Sequence, residues 1–165
     1  MQSREKTLHL AYGGMMAALV FVATYFLKLP VPITQGYIHL GDGFILLGAA
    51  LLGPTAIPAA AVGSMLADLL GGYTLYLIPT FVIKGAVAAV AVRAFAKFDA
   101  PWMRLLWMAV AELVMVAGYF LVEWLILRYG LAAAAGALGP NLVQGLSGVV
   151  IAAVLMPLTK RIHLK

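Results

Sequence analysis

Four ionisable residues, Asp68, Lys84, Glu112 and Glu123, interrupt long apolar stretches of the sequence. The chain has only 6 acidic and 11 basic residues among 165, so a generally charged composition does not account for this placement. A charged side chain in hydrocarbon costs from about 3 kcal/mol to well above that, and such residues usually face a bundle interior or a polar cavity. Their positions predict a buried polar site that binds a solute.

Two amides and two aromatic residues extend this pattern. Asn141 and Gln144 are three residues apart, so they share a helical face, and they follow Gly139-Pro140. Amides read the donor and acceptor edge of a heterocycle without adding charge, although hydrogen bonding between helices is the alternative. Tyr37 and His39 precede an apolar run, where they either close over a ligand or anchor the chain at the membrane interface.

Each buried charge also has a structural interpretation. Asp68 and Lys84 have opposite charge at similar predicted depth, so they form an ion pair or contact the ligand directly. Glu112 and Glu123 are eleven residues apart, about three helical turns, and lie on the same face. Glu123 contacts a ligand or is solvated at the interface. Glu112 is deeper and has no obvious basic partner, so we expect a protonated or hydrogen-bonded structural role.

The composition identifies an integral membrane protein. Hydrophobic residues make up 64% of the chain and charged residues 10%, with a mean hydropathy of +1.03. We expect no catalysis, metal or cofactor, because there is no phosphate-binding Walker loop, no His-Glu-x-x-His, no Gly-x-Ser-x-Gly and no cysteine. The net charge of +5 is explained by membrane topology, so no nucleic-acid partner is expected.

Hydropathy predicts an all-α protein that forms one six-helix membrane domain over residues 1–165. Proline and glycine mark most of the boundaries. The short second span and Pro58 in the third favour a tilted or broken pair there. The N-terminal apolar run is interpreted as a first span, not as a signal peptide. The predicted spans are about 8–27, 39–53, 56–72, 76–96, 104–127 and 138–157.

The basic residues predict the orientation. Six spans place both termini on one side, which receives eight basic residues, against Lys28 and Arg128 on the other. The excess indicates cytoplasmic termini. Polar groups from five spans then converge on the extracellular half, with Glu112 deeper, as an outward-facing solute pocket requires. The eight are Arg4, Lys6, Arg93, Lys97, Arg104, Lys160, Arg161 and Lys165.

Small residues form a separate pattern in the first span. Gly13 and Ala17, and likewise Gly14 and Ala18, give two overlapping small-xxx-small pairs. Such pairs let another helix approach closely. They indicate either packing within the bundle or a surface for a partner protein.

Several motifs together resemble the substrate-binding S component of energy-coupling factor (ECF) transporters, and the resemblance covers nearly the whole chain. The matching segments are Tyr37-Ile38-His39-Leu40-Gly41-Asp42-Gly43-Phe44, Leu51-Leu52-Gly53-Pro54, Asp68-Leu69-Leu70-Gly71-Gly72-Tyr73, Ile83-Lys84-Gly85, Gly118-Tyr119-Phe120-Leu121-Val122-Glu123 and Pro140-Asn141-Leu142-Val143-Gln144-Gly145.

The resemblance implies a six-helix protein of a prokaryotic plasma membrane that captures a vitamin or its precursor from outside. It implies assembly with a transmembrane T component and two cytoplasmic ATPases, and toppling in the membrane to release the cargo. Family members contact the T component through small residues on the first helix. The nearest matches here are Gly13/Ala17 and Gly14/Ala18.

The family places its ligand under the loop after span one, here residues 28–38, near the loop after span three, and against spans four to six. The polar residues identified above fall in these regions. Riboflavin, pyridoxine-like and hydroxymethylpyrimidine-like vitamins are the candidates, and carboxylates and amides with one buried base favour a small pyridine or pyrimidine. The expected substrate-binding residues are Tyr37, His39, Asp68, Lys84, Glu123, Asn141 and Gln144.

Two other functions are compatible with the composition. One is a self-sufficient secondary carrier that uses Asp68, Glu112 or Glu123 as proton relays, although residues 1–80 and 81–165 show no convincing inverted repeat. The other is a membrane scaffold without a ligand, which would tolerate neutral replacement of Glu123, Asn141 and Gln144.

Overall fold

The computed structural model describes residues 2–31 and 36–159, which form a helical bundle with one small hairpin. Five segments are long and apolar enough to cross a membrane: Arg4–Phe26, Gly41–Gly71, Thr74–Lys97, Pro101–Ile126 and Leu131–Thr159. The prediction of an all-helical membrane protein is confirmed at this level, with 88% of the residues helical. The helices are α1 (Gln2–Phe26), α2 (Gly41–Leu52), α3 (Ala56–Gly71), α4 (Leu77–Lys97), α5 (Pro101–Leu121) and α6 (Leu131–Thr159).

Four short elements connect these helices. An antiparallel hairpin of β1 (Lys28–Val31) and β2 (Gly36–His39) follows α1, with Lys28 opposite His39. Single 3-10 turns, Gly53–Thr55 and Thr74–Tyr76, precede α3 and α4. The end of α5 continues as a π-helical turn, Val122–Ile126. The hairpin falls in the predicted loop 28–38, whose residues 32–35 lie outside the described residues.

The chain reverses direction at Gly53–Thr55. Asp42 at the start of α2 and Asp68 near the end of α3 both lie beside β2, because Tyr37 hydrogen-bonds Asp68 and Gln144 joins Asp42 to His39. A straight helix would hold these two carboxylates about 39 Å apart. Gly53 makes the reversal possible with φ +53°, a conformation that glycine adopts without strain. Residues Gly41–Gly71 are therefore two antiparallel helices.

Small residues allow the helices to approach closely. A β-carbon at Gly63 of α3 would overlap the carbonyl oxygen of Ala17 in α1, and one at Gly148 of α6 would lie 2.9 Å from the β-carbon of Asp42. The core between the helices contains Val20, Leu46, Val87 and Met115, all fully buried. Close packing of this kind holds membrane helices together where the hydrophobic effect cannot.

Most helices match the predicted spans within a few residues, whereas α6 begins at Leu131, seven residues before the predicted span. Pro140 lies inside this helix. A proline there removes one backbone donor from the helical ladder. The sequence pattern Gly139-Pro140 indicated a boundary, but the helix continues through it.

Candidate functional site

A polar cavity lies where the hairpin covers the ends of α3, α4 and α5 and the first half of α6. Its empty volume is about 430 Å³, including its open mouth. A small cavity on which several polar groups converge is the usual form of a small-molecule site. The lining residues are Val31, Gly36, Tyr37, His39, Asp68, Tyr76, Thr80, Tyr119, Glu123, Ala137, Asn141 and Gln144.

A fully buried ion pair between Lys84 and Asp42 lies beneath the cavity. The Lys84 ammonium donates to both carboxylate oxygens of Asp42, at 2.7 and 2.9 Å, and both side chains are 0% exposed. The predicted pairing of Lys84 with Asp68 is wrong. Helix α4 packs against both α2 and α3, and the ammonium points towards α2.

Gln144 connects this ion pair to the hairpin. Its Nε2 donates to Asp42 Oδ2 at 2.7 Å, and its Oε1 accepts the backbone N–H of His39 at 3.0 Å. Its amide therefore has a fixed orientation, set by a carboxylate on one side and a backbone donor on the other. Gln144 lines the cavity, but its hydrogen-bonding groups position the network.

His39 faces the cavity as a neutral ring. Its Nδ1 accepts the backbone N–H of Gly41 at 3.0 Å, so the ring proton is on Nε2. Burial, reinforced by the positive charge of Lys84 and opposed by Asp42, lowers the pKa of His39 from its usual 6.5 to about 3. His39 is therefore available as a donor through Nε2 over the physiological pH range.

Tyr37 ties the hairpin to α3. Its hydroxyl donates to Asp68 Oδ1 at 2.7 Å, and the other oxygen, Oδ2, has no hydrogen-bond partner among the described residues. Burial, together with the charge of Asp68, raises the pKa of Tyr37. The Lys28 ammonium lies 5.4 Å from the centroid of the Tyr37 ring and 4.5 Å from that of Tyr25. The neutral Tyr37 hydroxyl and a carboxylate oxygen of Asp68 therefore lie side by side.

The π-helical turn carries the second carboxylate of the cavity. Glu123 is 3% exposed, and one of its oxygens accepts a hydrogen bond from the Tyr76 hydroxyl at 3.2 Å. A π turn inserts one extra residue per turn, and such turns are frequent at functional sites. Opposite it, the hydroxyls of Thr80 and Tyr119 lie 2.9 Å apart.

Asn141 contributes a second amide to the cavity lining. It lines the cavity at 9% exposure, and it makes no hydrogen bond among the described residues. This distinguishes it from Gln144, three residues further along α6. Glu112 lies outside the cavity, is 4% exposed, and neither of its oxygens has a partner among the described residues.

Six of the seven predicted substrate-binding residues line one cavity, and Lys84 lies beneath it. Their contact with a ligand remains a prediction. Residues not singled out as site residues are Asp42, Tyr76, Thr80 and Tyr119. Spacing could have found three of them, because Tyr76 and Thr80 precede Lys84 by eight and four residues, and Tyr119 precedes Glu123 by four. No group of three His, Asp or Glu in the described ranges is placed to hold a metal ion.

The small residues of α1 divide between two faces. Gly13 and Ala17 face the bundle, since a β-carbon at Gly13 would lie 3.0 Å from Thr55 and Ala17 touches Gly63. Gly14 and Ala18 are exposed, and nothing lies within 4 Å of a β-carbon built at Gly14. Of the two predicted pairs, only Gly14 and Ala18 are open to another protein.

Comparison with known proteins decides the family. The family described as "ECF-type riboflavin transporter, S component" matches residues 4–161. This chain belongs to that family. The S component is also 34% identical over 148 residues to the thiamine precursor transporter HmpT of Lactococcus lactis subsp. cremoris (strain MG1363), a match that covers 87% of this chain and 82% of HmpT.

A second relative comes from Pyrococcus woesei. It is described as an uncharacterized protein in the gap 3' region and is 37% identical over 134 residues, covering 80% of this chain and 88% of the relative. The resemblance inferred from the motifs is thus confirmed. Family membership makes this chain a multi-pass membrane subunit for a vitamin-type solute.

Proposed function

We propose that this S component binds a small aminopyrimidine, such as a hydroxymethylpyrimidine precursor of thiamine, and delivers it to an ATP-driven ECF importer. The observation that carries the proposal is the amide of Asn141, which makes no hydrogen bond among the described residues, beside two buried carboxylates, Asp68 and Glu123, in a small cavity. The name of the HmpT relative, a thiamine precursor transporter, points to the same class of compound.

The chemistry of an aminopyrimidine matches these groups. The ring carries an acceptor nitrogen next to an exocyclic amine, and the Asn141 amide can meet both at once. The Asp68 oxygen without a partner can accept from the amine or from a hydroxymethyl group. Tyr37, Tyr76 and Tyr119 supply aromatic surface for the ring.

The topology proposed for the subunit is six membrane spans in one domain with cytoplasmic termini. Arg4, Lys6, Arg93, Lys97 and Arg104 lie at the end of the bundle away from the cavity, whereas Lys28 and Arg128 lie at the cavity end. Lys160, Arg161 and Lys165 lie outside the described residues. This distribution follows the positive-inside rule if the cavity end faces the exterior, which is the orientation that we propose.

The proposed partners are a transmembrane T component and two cytoplasmic ATPases. The exposed face of α1 around Gly14 and Ala18 is the surface that we assign to the T component. The sequence contains no phosphate-binding loop, so ATP hydrolysis falls to the partners. The subunit itself is a binding protein in this scheme, not an enzyme.

The first test is mass spectrometry of small molecules released from the gently purified, then denatured protein. We expect a stoichiometric hydroxymethylpyrimidine-type compound. Calorimetric titration then compares this compound with pyridoxine and riboflavin. Preference for riboflavin would contradict the substrate assignment, and transport by the subunit alone in proteoliposomes, driven by a pH gradient without ATP, would contradict the ECF mechanism.

The second test concerns Asn141. Replacing it with Ala leaves a polar edge of the ligand unpaired, which costs about 1–3 kcal/mol of binding free energy. Val143→Ala, two residues away on the exposed side of α6, is the matched control and should bind normally. Equal affinities of the two variants would move the recognition of the ring edge away from Asn141.

A further inference from the structure

A groove lies at the end of the molecule opposite to the polar cavity. The first two turns of α5 and the last turns of α6 leave an opening of about 890 Å³, including its open side. Trp102 at its rim is 68% exposed and Leu105 is 46% exposed. The lining residues are Asp99, Pro101, Trp102, Arg104, Leu105, Met108, Ala153, Met156 and Pro157.

Arg104 is held in a fixed orientation at the head of this groove. Its Nε donates to the carbonyl oxygen of Phe98 at 3.0 Å, and its Nη2 donates to Asp99 Oδ1 at 3.0 Å. The guanidinium also lies 5.6 Å from the centroid of the Phe95 ring. An arginine has five N–H donors, and these contacts use two of them. Within the described chain, Nη1 donates to nothing, so one edge of the guanidinium remains available.

The charge around the groove favours an anion. Lys97 is exposed on the last turn of α4, at the same end of the bundle. The one carboxylate at the rim, Asp99, has a fully exposed side chain and is paired with Arg104. A fork of guanidinium donors matches the oxygens of a phosphate.

The remaining walls are apolar, so their chemistry suits lipid tails. Leu105, Met108, Ala153 and Met156 form the floor. Tryptophan is enriched at the level of the lipid headgroups, which places the exposed Trp102 ring beside a headgroup. Basic pockets between membrane helices are known to bind anionic headgroups.

We propose that this groove is a binding site for one anionic phospholipid. The phosphate pairs with the free edge of Arg104, and one acyl chain lies along the apolar floor. The site is independent of the polar cavity and does not depend on which vitamin is bound. It would hold an annular lipid in a defined position beside α5 and α6.

The test is native mass spectrometry of the protein released from nanodiscs that contain equal amounts of phosphatidylglycerol and phosphatidylcholine. We expect one phosphatidylglycerol to be retained by the wild-type protein, and Arg104→Gln to reduce that retention at least tenfold. Arg93→Gln is the matched control, since Arg93 is exposed and its one hydrogen bond to a described residue is to the Ala89 carbonyl within its own helix. Ala153→Phe narrows the groove without touching Arg104 and should also release the lipid, with folding of each variant checked by thermal unfolding.

Three results would overturn the proposal. Equal retention of the two lipids by the wild-type protein would show that the groove has no preference for an anion. Equal losses in Arg93→Gln and Arg104→Gln would show a diffuse positive potential in place of a site. If Ala153→Phe keeps the lipid but no longer assembles with the T component, the groove is a protein interface.

Discussion

Replacing Asp42 with Asn removes the negative charge that faces the Lys84 ammonium in a region where both side chains are 0% exposed. Breaking a buried ion pair by removing one partner costs about 3–5 kcal/mol, because the remaining charge is left uncompensated. The replacement also creates a local conflict. The new amide NH₂ must face the Lys84 ammonium in either orientation, and in one of them it also faces the Gln144 Nε2, so donors oppose donors. We therefore expect Asp42→Asn to destabilise the protein by about 3–5 kcal/mol.

The assay is unfolding in mixed detergent micelles by titration with a denaturing detergent, compared with Lys84→Met and with the double variant. Lys84→Met alone should also be strongly destabilising. The double variant should recover most of the loss, since replacing a buried pair by neutral groups is often close to neutral. A recovery confined to this pair would identify Lys84 and Asp42 as partners.

Two controls separate this effect from other losses of charge. Asp68→Asn keeps an oxygen that accepts the hydrogen bond from Tyr37, so it should cost about 1 kcal/mol or less. Asp99→Asn breaks a pair in which the carboxylate is fully exposed, and no measurable change is expected. The reasoning is refuted if Asp68→Asn is as destabilising as Asp42→Asn, because Lys84 would then be paired with α3.

Three further predictions concern pH, helix packing and assembly. Folding lowers the pKa of His39 from 6.5 to about 3, so between these pH values the unfolded chain binds a proton that the folded chain does not. The free energy of unfolding should therefore drop as the pH is lowered from about 6 to 4, by at most about 1.4 kcal/mol per pH unit. Thermal unfolding of His39→Gln over the same range should show a smaller slope, and an unchanged slope would assign the effect to another group. Gly148→Ala should destabilise the protein by about 1–3 kcal/mol, since the new β-carbon would lie 2.9 Å from that of Asp42. Gly139→Ala on the same helix meets open space and should not destabilise it. Equal unfolding midpoints of the two variants would contradict the close packing at Gly148. Ala18→Trp should leave vitamin binding intact and prevent co-purification with the T component, while Ala17→Trp should reduce stability; an intact complex with Ala18→Trp would rule out this face of α1.

The sequence predicts position along the helix axes better than it predicts rotation about them. Asp42 and Asp68 both lie beside β2, and either could meet Lys84 from there. The choice between them depends on how α2 and α3 turn relative to α4, and the close contact of Gly148 with Asp42 contributes to it. Hydropathy carries no information about that rotation.

The sequence also did not predict local departures of the backbone from regular α-helix. The π turn at Val122–Ile126 has no distinctive composition, yet it places Glu123 in the cavity wall. The hairpin could not be read from residues 28–38, where Pro30 and Pro32 indicated only the end of the first span. By contrast, glycine and proline predicted the ends of α2 and α3 within one residue, because Gly53 and Gly72 adopt positive φ there.

The reversal at Gly53–Thr55 has a mechanical consequence for the surrounding bilayer. Helix α2 has 12 residues and rises about 18 Å, whereas the hydrocarbon core is about 30 Å thick. The turn contacts α1 at Gly13, near the middle of that helix. Under the proposed topology, lipid beside this turn must thin or tilt to cover the shortfall, at a fraction of a kcal/mol per Å. One leaflet would then be permanently thinned beside the subunit. The elastic energy of that deformation would favour tilted orientations of the molecule that reduce it.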